Sequence, residues 1–124
     1  MELTRQQNEN WIVDALEGGS NYWYIIGING LNAVRSVVSR EEDEYFCTAL
    51  HKAIFDRGAK VEIRDREDTD TVLGYLSKES IAKGLKKCKE EHPKYIGQML
   101  TEEDDAITAD VIFQYCLMGE IMFG

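Results

Sequence analysis

This sequence of 124 residues is poor in proline, histidine, cysteine and positive charge. It contains one proline, two histidines and three cysteines, and 14 Lys and Arg stand against 23 Asp and Glu, for a formal net charge of −9. Such a chain lacks the basic surface that neutralises the phosphates of a long nucleic acid, so we expect no partner of that class. An acidic surface permits the opposite role, in which the protein imitates nucleic acid and occupies a DNA-processing enzyme.

The scarcity of cysteine and histidine argues against disulfides, zinc and nucleophilic catalysis. Cys47, Cys88 and Cys116 are scattered and form no CxxC pair, so we expect reduced thiols in the core. His51 and His92 belong to no recognisable motif with a serine or cysteine, and the sequence has no GxSxG motif and no phosphate-binding P-loop. We therefore predict no catalytic residue, no metal and no cofactor, and a protein that works by binding.

No segment has the pattern of a leader peptide or a membrane span. The first eleven residues lack a basic start followed by an apolar run. The longest apolar segment, residues 106–123, is interrupted by Asp110, Gln114 and Glu120, which makes insertion into a bilayer costly. We expect a cytoplasmic protein without membrane contact, folded as one domain over residues 1–124.

Hydrophobic periodicity and capping residues predict four helices. The first covers residues 3–17, with a capping box at Thr4 and a stop at the glycine pair 18–19. The second opens at Ser39 and closes at Gly58, and the third is capped by Ser77 and ends before Pro93. The fourth covers residues 106–118 and is apolar around most of its circumference, so it is either central or buried at a subunit interface, and we favour a dimer interface.

The remaining apolar segments predict strands. Residues 21–28 are rich in aromatic and β-branched side chains, and the Asn29-Gly30 pair that follows is typical of a type I′ turn leading to a partner strand at residues 31–38. Residues 60–66 and 71–76 predict an antiparallel hairpin. The predicted fold is α+β, an antiparallel sheet of three or four strands packed by about four helices.

Aromatic side chains cluster directly after the glycine pair. Asn21, Tyr22 and Trp23 stand where the first helix is expected to turn into a strand. A ring at such a turn can stack on a nucleobase, which is worth about 1–3 kcal/mol per base. The alternative is that the rings fill the core, as aromatic side chains usually do. We take these three residues as candidates for ligand binding.

Arg57, Lys60 and Arg64 group positive charge around the turn into the third predicted strand. Such a group can hold phosphates, or it can be a solvated edge that discourages strand pairing. Both interpretations remain open for this group.

Asp105, Thr108 and Asp110 stand at the start of the last predicted helix. Free backbone N–H groups there can bind an anion, and a carboxylate can accept hydrogen bonds from ribose hydroxyls. Plain helix capping is the alternative, and for Asp105 alone it is the favoured one.

Three segments resemble a family of small phage-encoded proteins. They are residues 15–23 (ALEGGSNYW), 80–85 (SIAKGL) and 105–114 (DAITADVIFQ), the last followed by Gly119-Glu120. The pattern resembles the Thoeris anti-defence family, which counters bacterial TIR-domain immunity. The resemblance implies a non-enzymatic sponge in the host bacterial cytoplasm that binds a cyclic ADP-ribose isomer, sequesters it intact and assembles as a homodimer or higher homo-oligomer.

The resemblance also implies roles for the candidate residues. Tyr22 or Trp23 would stack on adenine, Arg57 or Lys60 would neutralise the pyrophosphate, and Asp105 with Thr108 would hold ribose and phosphate.

The alternative function is an acidic decoy that inhibits a host DNA-processing enzyme. It is motivated by the net charge and by the acidic runs at residues 41–44 and 102–105.

Overall fold

The computed structural model describes residues 3–103 and 105–124, and in this part of the chain six helices surround a three-stranded antiparallel sheet. The helices are α1 (Arg5–Asp14), α2 (Ile28–Arg35), α3 (Phe46–Arg57), α4 (Lys78–Glu91), α5 (Pro93–Leu100) and α6 (Ala106–Met118). The strands are β1 (Tyr24–Ile25), β2 (Val61–Asp65) and β3 (Val72–Leu76). The predicted α+β class and antiparallel sheet are confirmed, although the described helices number six where about four were expected.

The sheet is built on the predicted hairpin. Strand β2 pairs antiparallel with β3, with Val61 opposite Leu76, and its other edge pairs with β1, where Tyr24 lies opposite Asp65. Val61, Ile63 and Leu76 are fully buried. The hairpin prediction depends on the polar stretch at residues 67–70 that joins the two segments, and Val61 and Ile63 share the buried face as expected.

The first helical segment begins and stops where predicted, although its last turn has a different form. Thr4 and Gln7 form the capping box, but α1 stops at Asp14 and continues as a π-helical turn, Ala15–Gly19. The expectation that the glycine pair closes the helix in the left-handed conformation is wrong, because neither glycine has a positive φ. Gly19 instead lies so close to the backbone oxygen of Ala106 that a Cβ at this position would clash with it.

The predicted turn at Asn29-Gly30 and the strand at residues 31–38 are also wrong. Both lie within or just after α2, and the strand expected at residues 21–28 is reduced to β1. Helix α2 packs on β2, and a Cβ on Gly30 would lie 2.5 Å from the backbone oxygen of Glu62. Close packing on the sheet therefore requires glycine here, and this tertiary contact overrides the local preference of Asn-Gly for a hairpin turn.

Helix α3 starts later than predicted. The Ser39 hydroxyl does accept a hydrogen bond from the Glu42 N–H, at 3.2 Å, but residues 40–42 form a turn and the helix begins at Phe46. Ala49, Leu50, Ala53 and Ile54 of the predicted apolar stripe are buried, whereas Tyr45, which was expected in the same stripe, precedes the helix and is 69% exposed. Gly58 ends the helix with a φ of 69° as expected. Helix α5 was not predicted, because Pro93 was interpreted as an exit whereas it occupies the first helical turn, where proline is favoured.

Helix α6 has the predicted bounds and lies at the centre of the molecule. Every residue from 108 to 117 is buried, and the helix packs against α1, α4, α5 and β3. Gly84 permits the close approach of α4, since a Cβ there would clash with the backbone of Tyr115 and Cys116. The helix is therefore buried within one chain, and its apolar circumference no longer argues for a dimer interface.

Cys47, Cys88 and Cys116 are free thiols, the last two of them buried. None of the helices in the described residues has the length and apolar character needed to cross a membrane.

Candidate functional site

Three side chains from the turn after the π-helix converge on one buried carboxylate, that of Asp110 in α6. The Ser20 hydroxyl and the Trp23 indole N–H each donate to Oδ1 at 2.7 Å, and the Tyr22 hydroxyl donates to Oδ2 at 2.6 Å. The π-helical turn and the tight turn after it, in which the Trp23 N–H bonds to the Ser20 carbonyl at 3.1 Å, bring these side chains to the same side. All three partners are neutral donors, so hydrogen bonds alone compensate the buried charge.

A cavity of about 530 Å³ opens beside this cluster. Its wall includes Tyr22, Asp110 and Gln114, together with Ile107 from the first turn of α6 and Phe123 from the segment after it. The volume lies within the range of roughly 300–1,000 Å³ that is usual for small-molecule sites. The cavity is therefore large enough for a nucleoside or a ligand of similar size.

Of the aromatic residues predicted to bind a ligand, Tyr22 is the one that reaches this cavity. Its side chain is 49% exposed, while its hydroxyl is held by Asp110. Partial burial of the hydroxyl and its hydrogen bond to the Asp110 carboxylate raise the pKa of Tyr22 to about 12. The residue is thus a neutral donor at neutral pH, with its ring fixed at the cavity wall.

Trp23 is part of the core. It is 1% exposed, and its ring contacts Phe113 at a centroid distance of 5.0 Å and stacks on Phe123 at 5.1 Å with an interplanar angle of 9°. The packing alternative raised for the aromatic group therefore describes Trp23, whose ring has no free face in this arrangement. Asn21 is exposed in the same turn and does not line the cavity.

Asp105 and Thr108 form a helix cap. The Asp105 carboxylate accepts the Thr108 N–H at 2.9 Å, and this hydrogen bond lowers the pKa of Asp105. The Thr108 hydroxyl is buried and bonds to the side-chain oxygen of Gln98 in α5. Capping thus accounts for both residues, and neither lines the cavity beside Asp110.

The predicted positive group is not brought to the aromatic turn. Arg57 pairs with Glu42 at 2.9 Å and donates to the Val37 carbonyl at 2.9 Å, whereas Lys60 is exposed before β2. Arg64 pairs with a carboxylate of its own strand, and none of the three lines the cavity. The guanidinium groups of Arg57 and Arg64 are thus bonded to nearby carboxylates. The positive charges that were expected to bind phosphate are not present at this cavity.

Sequence reasoning missed Gln114 and the segment after α6. Gln114 is 1% exposed, and its Oε1 accepts the backbone N–H groups of Met122 at 2.8 Å and Phe123 at 2.9 Å. Its Nε2 donates to the Phe123 carbonyl at 3.3 Å. The available signal was a long amide side chain in an otherwise apolar helix, which had been interpreted only as an obstacle to membrane insertion.

No three or more His, Cys, Asp or Glu side chains in residues 3–103 and 105–124 are grouped so that they could hold a metal ion. Comparison of the chain with known protein families, curated proteins and solved structures found no match.

Proposed function

We propose that this protein binds a small nucleoside-containing signal and sequesters it unchanged, with the cavity beside Tyr22 and Asp110 as the binding site. The resemblance to the Thoeris anti-defence family makes a cyclic ADP-ribose isomer the first ligand to test. In this role, a phage protein in the host cytoplasm lowers the free concentration of the signal by mass action.

The observation that carries the proposal is the half-exposed Tyr22 ring at the wall of a cavity of nucleoside size. A ring held by a hydrogen bond through its hydroxyl loses little further freedom when a ligand stacks on it. Stacking of one base on such a ring is worth about 1–3 kcal/mol. Tyr22 is therefore assigned the stacking role that the resemblance gives to Tyr22 or Trp23.

The polar groups of the cavity suit the sugar and base better than the phosphates. Asp110 Oδ2 accepts one hydrogen bond, from Tyr22, and a carboxylate oxygen can accept a second one from a ligand hydroxyl or amino group. No Lys or Arg is among the described residues that line the cavity. We infer that the nucleoside enters and that the phosphates stay at the mouth in contact with water, so the affinity depends only weakly on salt.

Exposed apolar side chains beside the cavity support a homodimer or higher homo-oligomer as part of the proposal. Ile107 and Ile121 line the cavity and are 67% and 41% exposed, and Met122, next to Ile121 in the chain, is 55% exposed. A second copy covering them would close the mouth and lengthen the residence time of the ligand. An Ile107→Asp variant should then be smaller than the wild type in sedimentation velocity.

The test is to mix purified protein with a cyclic ADP-ribose isomer, remove free ligand by filtration and heat-denature the protein. Mass spectrometry of the released material should find the intact ligand. Calorimetry of Tyr22→Ala should show roughly tenfold or weaker binding, from the lost stack. Tyr45→Ala is the matched control, because Tyr45 is 69% exposed and does not line this cavity.

If the released ligand is cleaved, the protein is an enzyme and the sequestration proposal is wrong. Absence of any retained ligand, with a filtrate that still activates the TIR effector, would end the sponge proposal.

The acidic decoy is the second candidate, supported by the net charge of −9. Two acids of the run at residues 41–44 serve the fold, since Glu42 pairs with Arg57 and Asp43 pairs with Lys52 at 3.2 Å. If the protein is an acidic decoy, it should bind a basic host protein. The affinity should fall steeply between about 50 and about 300 mM salt, because added salt shortens the Debye length.

A further inference from the structure

We propose that Trp23 and Gln114 form an adenine-type base site and that residues 120–124, called the tail below, occupy it in the ligand-free protein. The choice of ligand class rests on the proposed function, and the assignment of the subsite rests on the contacts of the tail. With the tail in place the base stacks on Tyr22 at the cavity wall, and with the tail displaced it stacks on Trp23.

The first contact is a ring stack. Phe123 lies on Trp23 with a centroid distance of 5.1 Å and an interplanar angle of 9°, whereas Phe113, on the same tryptophan, is tilted by 37°. Near-parallel stacking is the arrangement of a nucleobase on an aromatic side chain. The Phe123 ring thus stands where a planar base would lie.

The second contact is a pair of hydrogen bonds. The Gln114 amide accepts the Phe123 N–H at 2.9 Å and donates to the Phe123 carbonyl at 3.3 Å. A glutamine amide reads adenine through the same pair, accepting from the exocyclic amino group and donating to the adjacent ring nitrogen. One tail residue therefore presents both the flat ring and the polar edge that an adenine would present.

The tail is weakly attached elsewhere. It contains no helix or strand, and Ile121 and Met122 are exposed. In the part of the chain that the structure describes, the backbone hydrogen bonds of the tail all go to Gln114. Ile121 and Phe123 also line the cavity beside Tyr22, so a tail that lifts away joins the base site to that cavity.

Exchange of the tail for a base keeps the buried amide satisfied. Gln114 is 1% exposed, and without a partner its amide would carry the penalty of an unpaired buried polar group. A base that replaces Phe123 restores one acceptor and one donor contact. The tail therefore acts as an internal competitor, and its closed population lowers the apparent affinity for the ligand.

The experiment compares adenosine with inosine by calorimetry on the full chain. The two nucleosides differ at position 6 of the base. Adenosine carries an amino group there, which would donate a hydrogen bond to Gln114, and inosine carries an oxygen, which cannot donate one. Phe123→Ala should bind adenosine about tenfold tighter than the wild type, because the competing ring is gone. Tyr45→Ala, which removes an exposed ring outside the tail and outside the cavity, should match the wild type.

Base choice tests the role of Gln114. Phe123→Ala should bind adenosine at least about tenfold tighter than inosine, and adding Gln114→Leu should remove that preference. Far-UV circular dichroism and thermal melts confirm that the variants are folded, and Phe123→Leu provides a second variant that keeps an apolar side chain without a ring.

Equal binding of adenosine and inosine, or no gain in affinity on loss of the Phe123 ring, overturns the inference. If the wild type still retains a cyclic ADP-ribose isomer and Tyr22→Ala still weakens it, the proposed function survives and only the subsite fails. If neither protein binds any of these ligands, both proposals fail.

Discussion

Removal of the Asp110 carboxylate in α6 should cost more stability than removal of any one of the polar groups that donate to it from the turn after the π-helix. Ser20 and Trp23 are 0% and 1% exposed, and both donate to Asp110 Oδ1. Asp110→Ala leaves both donors buried without an acceptor, and each costs about 1–3 kcal/mol. Tyr22 is half exposed, so water can replace its lost partner. The expected loss of unfolding free energy is therefore about 4 kcal/mol.

Asp110→Asn is the matched control. The asparagine oxygen can still accept from Ser20 and Trp23, and its amide group can donate to the Tyr22 hydroxyl, which then acts as acceptor. The bonds lose their charge assistance, which weakens each, but the cost of burying a charge disappears as well. We expect a loss of about 1–2 kcal/mol, less than half of that for alanine.

The assay is urea unfolding followed by tryptophan fluorescence and circular dichroism, with the free energy of unfolding extrapolated to water. Tyr22→Phe should cost little alone, and it should cost nothing more in the Asp110→Ala background, because the hydroxyl has already lost its partner. The reasoning is refuted if Asp110→Ala costs less than about 1 kcal/mol, or if the asparagine and alanine variants are equally unstable.

Other predictions concern buried groups away from the cavity. His51 is 1% exposed, neither ring nitrogen has a hydrogen-bond partner among the described residues, and burial together with the positive charge of Arg5 lowers its pKa below the ordinary value of 6.5. As the pH falls, His51 therefore binds a proton in the unfolded chain before it does so in the folded protein. The unfolding free energy should fall between pH 7 and pH 5 by at most about 1.4 kcal/mol per pH unit. In chemical denaturation, His51→Leu should flatten that slope. An unchanged slope in the leucine variant would show that other groups carry the pH dependence. Gly84→Ala should destabilise by about 2 kcal/mol or more, because its methyl group meets the backbone of α6. Gly97→Ala lies in a helix, has nothing within 4 Å of the new methyl group and should stabilise the protein by about 0.5–1 kcal/mol. Equal melting temperatures for Gly84→Ala and Gly97→Ala would contradict the packing argument.

Local signals predicted the parts of the fold whose partners are close in sequence. The Thr4 capping box, the Ser77 cap and the Asp105 cap are all contacts between residues three apart, and all three are present. The left-handed glycine at Gly58 and the hairpin of β2 and β3 likewise depend on a few consecutive residues. Short-range hydrogen bonds and side-chain alternation are written in the sequence itself, so these features could be predicted before the structure was known.

The candidate site residues show the same difference between contacts that are local in sequence and contacts between distant segments. The sequence pointed to Tyr22 and Asp110, but it offered no means of joining them, since they are 88 positions apart. It also gave equal standing to Trp23, which the structure places in the core. Whether an aromatic ring faces a ligand or a neighbouring ring depends on which elements pack around it, and a single sequence carries no direct record of that.

The sequence by itself determined the α+β class, the net charge, the bounds of α6 and the caps of three helices, because each depends on composition or on neighbours within one or two turns. Tertiary structure decided that the Asn29-Gly30 segment is helical, that α6 is central, and that the tail folds back onto Gln114 and Trp23. For the Asn29-Gly30 segment, close packing on the distant strand β2 outweighs a local preference of about 1 kcal/mol or less. The cavity exists only after those contacts form, which is why its walls could not be assembled from the sequence.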